Sequence, residues 1–191
     1  MRRTLIATLM TGLSLLAALA ATAGAVGDQF RSGAFGLAWN ADKGAIEARY
    51  PGGKWDQGEM GFARYCVPSR QTLLKLPAQY QTRELCFVIG ADTTLAAVTA
   101  RMDPTLPALL AVVNRSRTMF GDFDAILRDE GAIQSLHTKM LWTRDVPLLV
   151  QVSSGNDASG SPNEVSFTVA DAASMFTAGA DKVSNRPTGG K

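Results

Sequence analysis

Two cysteines, one histidine and a short run of carboxylates are the side chains in this sequence whose types and spacing could do chemistry. Cys66 and Cys86 are the only cysteines, and no C-x-x-C links them. A reactive thiol pair or a metal pair would need a further soft ligand, and the single histidine, His137, is remote in sequence. In an oxidising compartment the two pair as a disulfide, closing a loop worth roughly 3 kcal/mol in the chain-entropy view. That bridge requires their Cα atoms to come within ~7 Å. His137 could act as a general base or a ligand, but it has no partner histidine and no G-x-S-x-G motif beside it. It reads as an ordinary strand-flanking histidine.

Asp122, Asp124, Asp129 and Glu130 form the densest carboxylate group. Aligned to a calcium loop from Asp122, Leu127 falls where the sharp-turn glycine belongs and Ile133 where the bidentate glutamate belongs. The group therefore reads as a solvated acidic linker; its chemical alternative is a carboxylate-dependent hydrolase in which His137 assists. Asn156 and Asp157, in a Ser/Gly-rich stretch, suit a connection more than a metal site. Pro51-Gly52-Gly53-Lys54-Trp55 sets glycines before a lysine, but Trp55 stands where a phosphate loop needs Ser or Thr. It reads as a turn. No cofactor and no metal is assigned.

Aromatic side chains give the binding signal, since they dominate interface hot spots when exposed. Trp39 and Trp142 fall at or in strand patterns and read as core. Trp55 follows the glycine turn among Lys54, Asp56 and Gln57, so Tyr50, Lys54 and Trp55 are the expected contact surface.

The elements that must position these groups begin after a leader. Arg2 and Arg3 precede an uncharged run from Leu5 to Ala20, followed by Ala21-Thr22-Ala23-Gly24-Ala25. Charge, short apolar run and small residues make a secretory signal peptide over residues 1–25, cut after Ala23 or Ala25. No cysteine near the junction offers a lipid-anchor site, and no second apolar run reaches the ~20 residues of a membrane span. The precursor's 19 Lys+Arg against 17 Asp+Glu become 17 against 17 without Arg2 and Arg3. A balanced mature chain gives no drive toward nucleic acid or anionic membrane.

Gly33–Trp39 alternates as a strand, with Asn40 capping a short helix whose Ile46 and Tyr50 face inward until Pro51-Gly52-Gly53. Strands follow near Met60–Val67 and around Leu73–Leu76, then a hairpin pairs Glu84–Ile89 with Leu95–Met102. Asp103-Pro104 starts a helix that buries Leu106, Leu109, Leu110, Val113 and Phe120 and stops at Gly121. Ile126-Leu127 suggests a short helix. A second hairpin joins Lys139–Thr143 to Leu148–Val152 through Asp145, a polar loop spans Ser153–Ser161, and Val165–Val169 is the last strand. Ala172–Phe176 suggests one more helical turn, and no internal repeat or linker is visible.

These runs predict an α+β domain over 26–178, with about seven short antiparallel strands and two main helices on one face, then a flexible tail over 179–191. The expected function is that of an exported, periplasmic or secreted, non-enzymatic protein that binds a periplasmic protein or envelope component. An inhibitor or immunity protein for an exported toxin or hydrolase is the alternative within binding, and the carboxylate-dependent hydrolase the alternative outside it.

Overall fold

The computed structural model describes residues 25–57, 62–131, 135–145, 147–157 and 159–172. Among these residues three α-helices, α1 (Ala25–Phe30), α2 (Lys43–Arg49) and α3 (Leu106–Phe120), accompany eight strands. The strands are β1 (Lys54–Gln57), β2 (Ala63–Pro68), β3 (Thr82–Ile89), β4 (Leu95–Met102), β5 (Ala125–Gly131), β6 (Ser135–Trp142), β7 (Leu148–Asn156) and β8 (Pro162–Asp171). They form one sheet in the order β1-β2-β3-β4-β8-β7-β6-β5, with every neighbouring pair antiparallel. The α+β class and antiparallel sheet are as expected; the strand count is one higher and the helix count includes the unforeseen α1. The leader up to residue 24, the turn beyond Ala172 and the tail lie outside the described residues.

Alternation along the strands sorts the sheet into two faces. Tyr65 and Val67 on β2, Leu85 and Phe87 on β3, Val98 and Ala100 on β4, Phe167 and Val169 on β8, and Val150 and Val152 on β7 share one face through the register. Val26, Phe30, Ile46, Ala108, Val112 and Phe120 from the three helices, with Tyr50 just after α2, join them in one buried cluster. Aromatic rings stitch the layers: Phe30 lies 6.1 Å from both Phe120 and Phe167, and Tyr50 lies 4.8 Å from Phe87. All three helices therefore cover the same face.

Several local expectations change for physical reasons. Gly33–Trp39 is no strand: Ala34 and Leu37 exchange backbone hydrogen bonds of 2.9 and 3.0 Å around Phe35 and Gly36, both at positive φ. Two successive left-handed residues close a tight turn, and the hydrophobic alternation merely reflects Leu37 turning inward. Asp42, not Asn40, caps α2, its Oδ1 accepting from the Ala45 amide at 2.8 Å. Leu73–Leu76 is a loop that buries Leu73 and Leu76, with Leu74 and Lys75 at positive φ and the Leu74 carbonyl accepting from Arg115 Nε at 2.7 Å.

Helix α3 starts later than Asp103-Pro104 suggested, because Thr105 supplies the cap and Pro107 sits in the first turn. Its buried face is Ala108, Val112, Ser116 and Phe120, while Leu106 and Leu110 are exposed. The small Ala108 and Ser116 let the helix sit close on the sheet, a spacing that counting leucines misses. Ile126-Leu127 belongs to β5, an edge strand, rather than a helix. The expected loop from Ser153 is shorter, since β7 runs on to Asn156.

The strand order is symmetric about the β4–β8 pair. Helix α2 leads into the meander β1–β4, and helix α3 leads into the meander β5–β8. The architecture is thus two similar halves, a repeat with no counterpart visible in the sequence. Helix α1 joins the second half: Asp145, in the β6–β7 turn, accepts from the amides of Val26 (2.8 Å) and Gly27 (3.0 Å). A carboxylate at this end also suits the helix dipole.

Candidate functional site

Among the described residues, the two cysteines are opposite one another on β2 and β3 and joined in a disulfide, with Cα atoms 4.1 Å apart. Both side chains point to the face without helices, because their neighbours Tyr65 and Phe87 point into the core. Glu84 lies close by, and its carboxylate with the two sulfurs would span less than 4.8 Å. The thiolates a metal would need are consumed by the bridge, and Glu84 is paired with Arg101 at 2.7 Å.

Around the disulfide, the helix-free face can be read strand by strand. Its outer part on β1 to β4 is charged and paired. Arg64 holds Asp56 through two bonds of 2.9 and 2.8 Å. Hydrogen bonding by Arg64 outweighs the upward push of partial burial, and the Arg64 and Arg101 charges add to it, so the Asp56 carboxyl is held below its ordinary range.

The centre, on β4, β8 and β7, is different. Ala97 and Thr99 face Ala170 and Thr168, Arg101 faces Ser166, and Ser153 and Gln151 continue the rows. The hydroxyls are already engaged: Thr99 with Thr168 at 2.9 Å, Gln151 with Ser153 at 2.7 Å, Ser166 with Glu164 at 3.0 Å. Ala97, Ser153, Ser166 and Ala170 are buried although they lie outside the helix-covered core. Toward β5 the face mixes leucines with charge, Lys139 lying between Ser153 and Leu127 in the register. Leu149, Leu141 and Leu127 occupy successive diagonal positions on β7, β6 and β5, a spacing across which long side chains still touch.

His137 also lies on this face, opposite Gly155 on β7 and Asp129 on β5. Its Nδ1 is 3.9 Å from the Glu164 carboxylate, and both side chains are well exposed. Ser166 donates to that carboxylate rather than to the imidazole, so the three groups are not arranged as a serine–histidine–carboxylate relay. Other candidate carboxylates are tied elsewhere. Asp122 pairs with Arg117 at 2.5 Å, Asp124 accepts from the Thr143 amide at 2.7 Å and pairs with Arg144, and Asp157 accepts from the Ser159 and Ser161 amides at 2.9 and 3.0 Å. Burial pushes the Asp124 carboxyl up, yet the Thr143 amide and the Arg144 guanidinium together hold it below its usual value. Of Asp129 and Glu130 only the backbone, in β5, is described. Among the described side chains, Asp122 and Asp124 are each held in an ion pair of their own.

The expected aromatic surface comes apart as well. Tyr50 is buried, its hydroxyl donating to the Phe35 carbonyl at 2.5 Å. Lys54 and Trp55 are consecutive on β1 and so face opposite sides: Lys54 is opposite Cys66, Trp55 opposite Tyr65. Trp55 is half-buried, stacked on Tyr65 at 5.0 Å, with the Lys43 ammonium 4.9 Å from its ring and its Nε1 donating to Glu47 at 2.5 Å. It borders an open groove of about 340 Å³ with Lys43, Asp56, Gln57 and Ala63. Trp142 is core, as expected, donating to the Gly121 carbonyl at 2.8 Å, and Trp39 donates to the Phe30 carbonyl at 2.8 Å.

Comparison with protein families, curated proteins and solved structures finds no match for this chain. No helix among the described residues is long and apolar enough to cross a membrane. Sequence reasoning missed the small-residue centre of the helix-free face. The signal was there in the alternation of Val165, Phe167 and Val169 with Ser166, Thr168 and Ala170, which separates a core face from one of small side chains.

Proposed function

We propose that this chain is an exported, non-catalytic binding protein whose helix-free sheet face receives a protein partner. The observation that carries the reading is the composition of that face at its centre. A face meant only for water carries long charged side chains; Ala97, Thr99, Thr168, Ser166, Ala170 and Ser153 are short and rotamer-poor. Docking there orders little side-chain entropy, against ~0.5–1.5 kcal/mol for each long side chain immobilised elsewhere. Ion pairs on one flank and leucines on the other supply register and apolar contact. Export is supported by the leader composition and agrees with the Cys66–Cys86 disulfide.

The test is capture from a cell-envelope extract by the wild-type chain and by three variants. Thr168→Arg, at the centre of the face, should abolish retention of the partner, whereas Leu110→Arg on the exposed side of α3 should leave it intact. Trp55→Ala distinguishes the groove on the other side of β1. Capture lost with Trp55→Ala but kept with Thr168→Arg would move the site to that groove and refute the face. If the retained partner is an exported hydrolase or toxin whose activity falls on binding, the inhibitor reading is selected.

A further inference from the structure

Asp145 sits half-buried in the turn between β6 and β7, and among the described residues no lysine or arginine lies within ion-pair distance of it. Its neighbour Arg144 is committed to Asp124. What the carboxylate holds instead is backbone: Oδ2 accepts from the Val26 amide at 2.8 Å and from the Gly27 amide at 3.0 Å, 119 and 118 residues away in sequence. The Val26 nitrogen is fixed at this contact, because the Val26 side chain is 4% exposed and belongs to the core cluster. One turn on, Phe30 lies 6.1 Å from both Phe120 and Phe167.

The sequence sets this same nitrogen at a junction, since Ala23-Gly24-Ala25 is one of the two small-residue sites at which the leader is expected to be cut. We propose that the cut falls between Ala25 and Val26, and that the α-ammonium it creates pairs with Asp145, fastening the mature N-terminus to the β6–β7 turn. This inference rests on the export reading. A peptidase that reads small residues adds water across the Ala25–Val26 peptide bond. The hydroxyl goes to the Ala25 carbonyl carbon and the proton to the Val26 nitrogen, after which the new acid and amine ionise to carboxylate and ammonium. A neutral N–H thus becomes a positive group with three donors, placed against a carboxylate that has no other cation among the described residues. A cut after Ala23 leaves the ammonium on Gly24, two residues ahead of the nitrogen that Asp145 holds, and keeps Val26 as a neutral amide. Helix α1 includes both Ala25 and Val26, so the bond is cut before the helix seats and the ion pair forms as the chain folds.

The cut is read from the intact mass of the chain released from the envelope of bacteria expressing the full-length precursor. A chain beginning at Val26 is expected, and one beginning at Gly24 overturns the assignment. Full-length protein retained in the cytosol overturns the export reading and the processing with it. The pairing is measured separately, on purified chains freed from a removable fusion so that they begin at Val26 or at Gly24, each with and without Asp145→Asn. With Asp145 in place the Val26 start should melt roughly 2–4 °C above the Gly24 start, because a hydrogen bond from a charged donor is worth more than a neutral one. Asp145→Asn, whose side-chain oxygen still accepts, should erase that difference. Nα-acetylation of the Val26 chain, which makes the nitrogen an amide again, should erase it too. A Val26 start no more stable than the Gly24 start overturns the ion pair. So does an advantage that survives either Asp145→Asn or acetylation.

Discussion

Replacing Tyr65 by Phe removes one oxygen from the fold and should cost more than any surface change. The ring is buried against Trp55 and Gly53, and its hydroxyl does two jobs: it accepts from the Gly53 amide at 2.8 Å and donates to the Tyr50 carbonyl at 2.7 Å. Those two groups lie in the turn that ends α2 and starts β1. The ring fits so closely that a Cβ on Gly53 would stand 2.4 Å from Tyr65 Cζ, so phenylalanine leaves no room for a water to replace the lost oxygen. A buried polar group left without a partner costs roughly 1–3 kcal/mol. With the carbonyl fully buried and the amide only partly so, the expected loss is about 2–3 kcal/mol. For a domain of this size each kcal/mol lowers Tm by roughly 2–4 °C, so calorimetry should show a drop of about 5–10 °C. Tyr50→Phe is the internal control. Its hydroxyl donates to the Phe35 carbonyl and accepts from Gln71 at 3.2 Å in a partly wet site, where a net hydrogen bond is worth only about 1 kcal/mol. The reasoning is refuted if Tyr65→Phe unfolds within 1 °C of wild type, or if it costs no more than Tyr50→Phe.

Asp124 should make stability acid-sensitive. Its folded pKa is lowered, so its contribution is complete above the ordinary carboxylate range near ~3.9 and is lost as pH falls through the depressed folded value. Asp124→Asn should therefore be less stable than wild type at neutral pH, with the gap narrowing in urea titrations toward pH 2; a gap independent of pH would show that the Thr143 and Arg144 contacts do not favour the ionised form. Along α3, Val112→Ala should lose about 2 kcal/mol from the core, whereas Leu110→Ala, at an exposed position, should stay within about 0.5 kcal/mol of wild type. The opposite ranking in chemical denaturation would restore the leucine face as the buried one.

Strands whose two faces differ were legible in the sequence. Val165, Phe167 and Val169 announced β8, and Leu148, Val150 and Val152 announced β7, because period-two alternation survives whatever packs on it. The disulfide was legible too, since two cysteines and no rival ligand leave few choices. Elements whose identity depends on distant partners were not. Helix α1 is six residues long and too short to form on its own propensity; it exists because Phe30 reaches Phe120 and Phe167 and because Asp145, far along the chain, holds its first amides. The strand at Ile126-Leu127 carries apolar groups on both faces, which leaves the period undefined and made a helix as reasonable as an edge. Tyr50, which follows α2 directly, was rightly read as inward-facing, yet it was also counted in a contact surface, and the two roles are incompatible for one ring.

The two halves of the sheet share a plan but are secured by different means, and this bears on where a partner can act. In the first half the Cys66–Cys86 bridge ties β2 to β3, and the edge beyond them is short and charged. The second half has no covalent tie among its described residues. It is held instead by α1, whose Phe30 lies against β8 and whose amides bind the β6–β7 turn. Helix α1 begins at Ala25, within the stretch where the leader is expected to be cut. A cut at that place would fall beside the segment that braces the half carrying the leucines and the apolar edge. A partner pressing on the helix-free face would meet a locked half and a braced one. Its leverage would be greatest on β5 to β7, where the bracing is non-covalent and Ile126 and Leu127 are exposed.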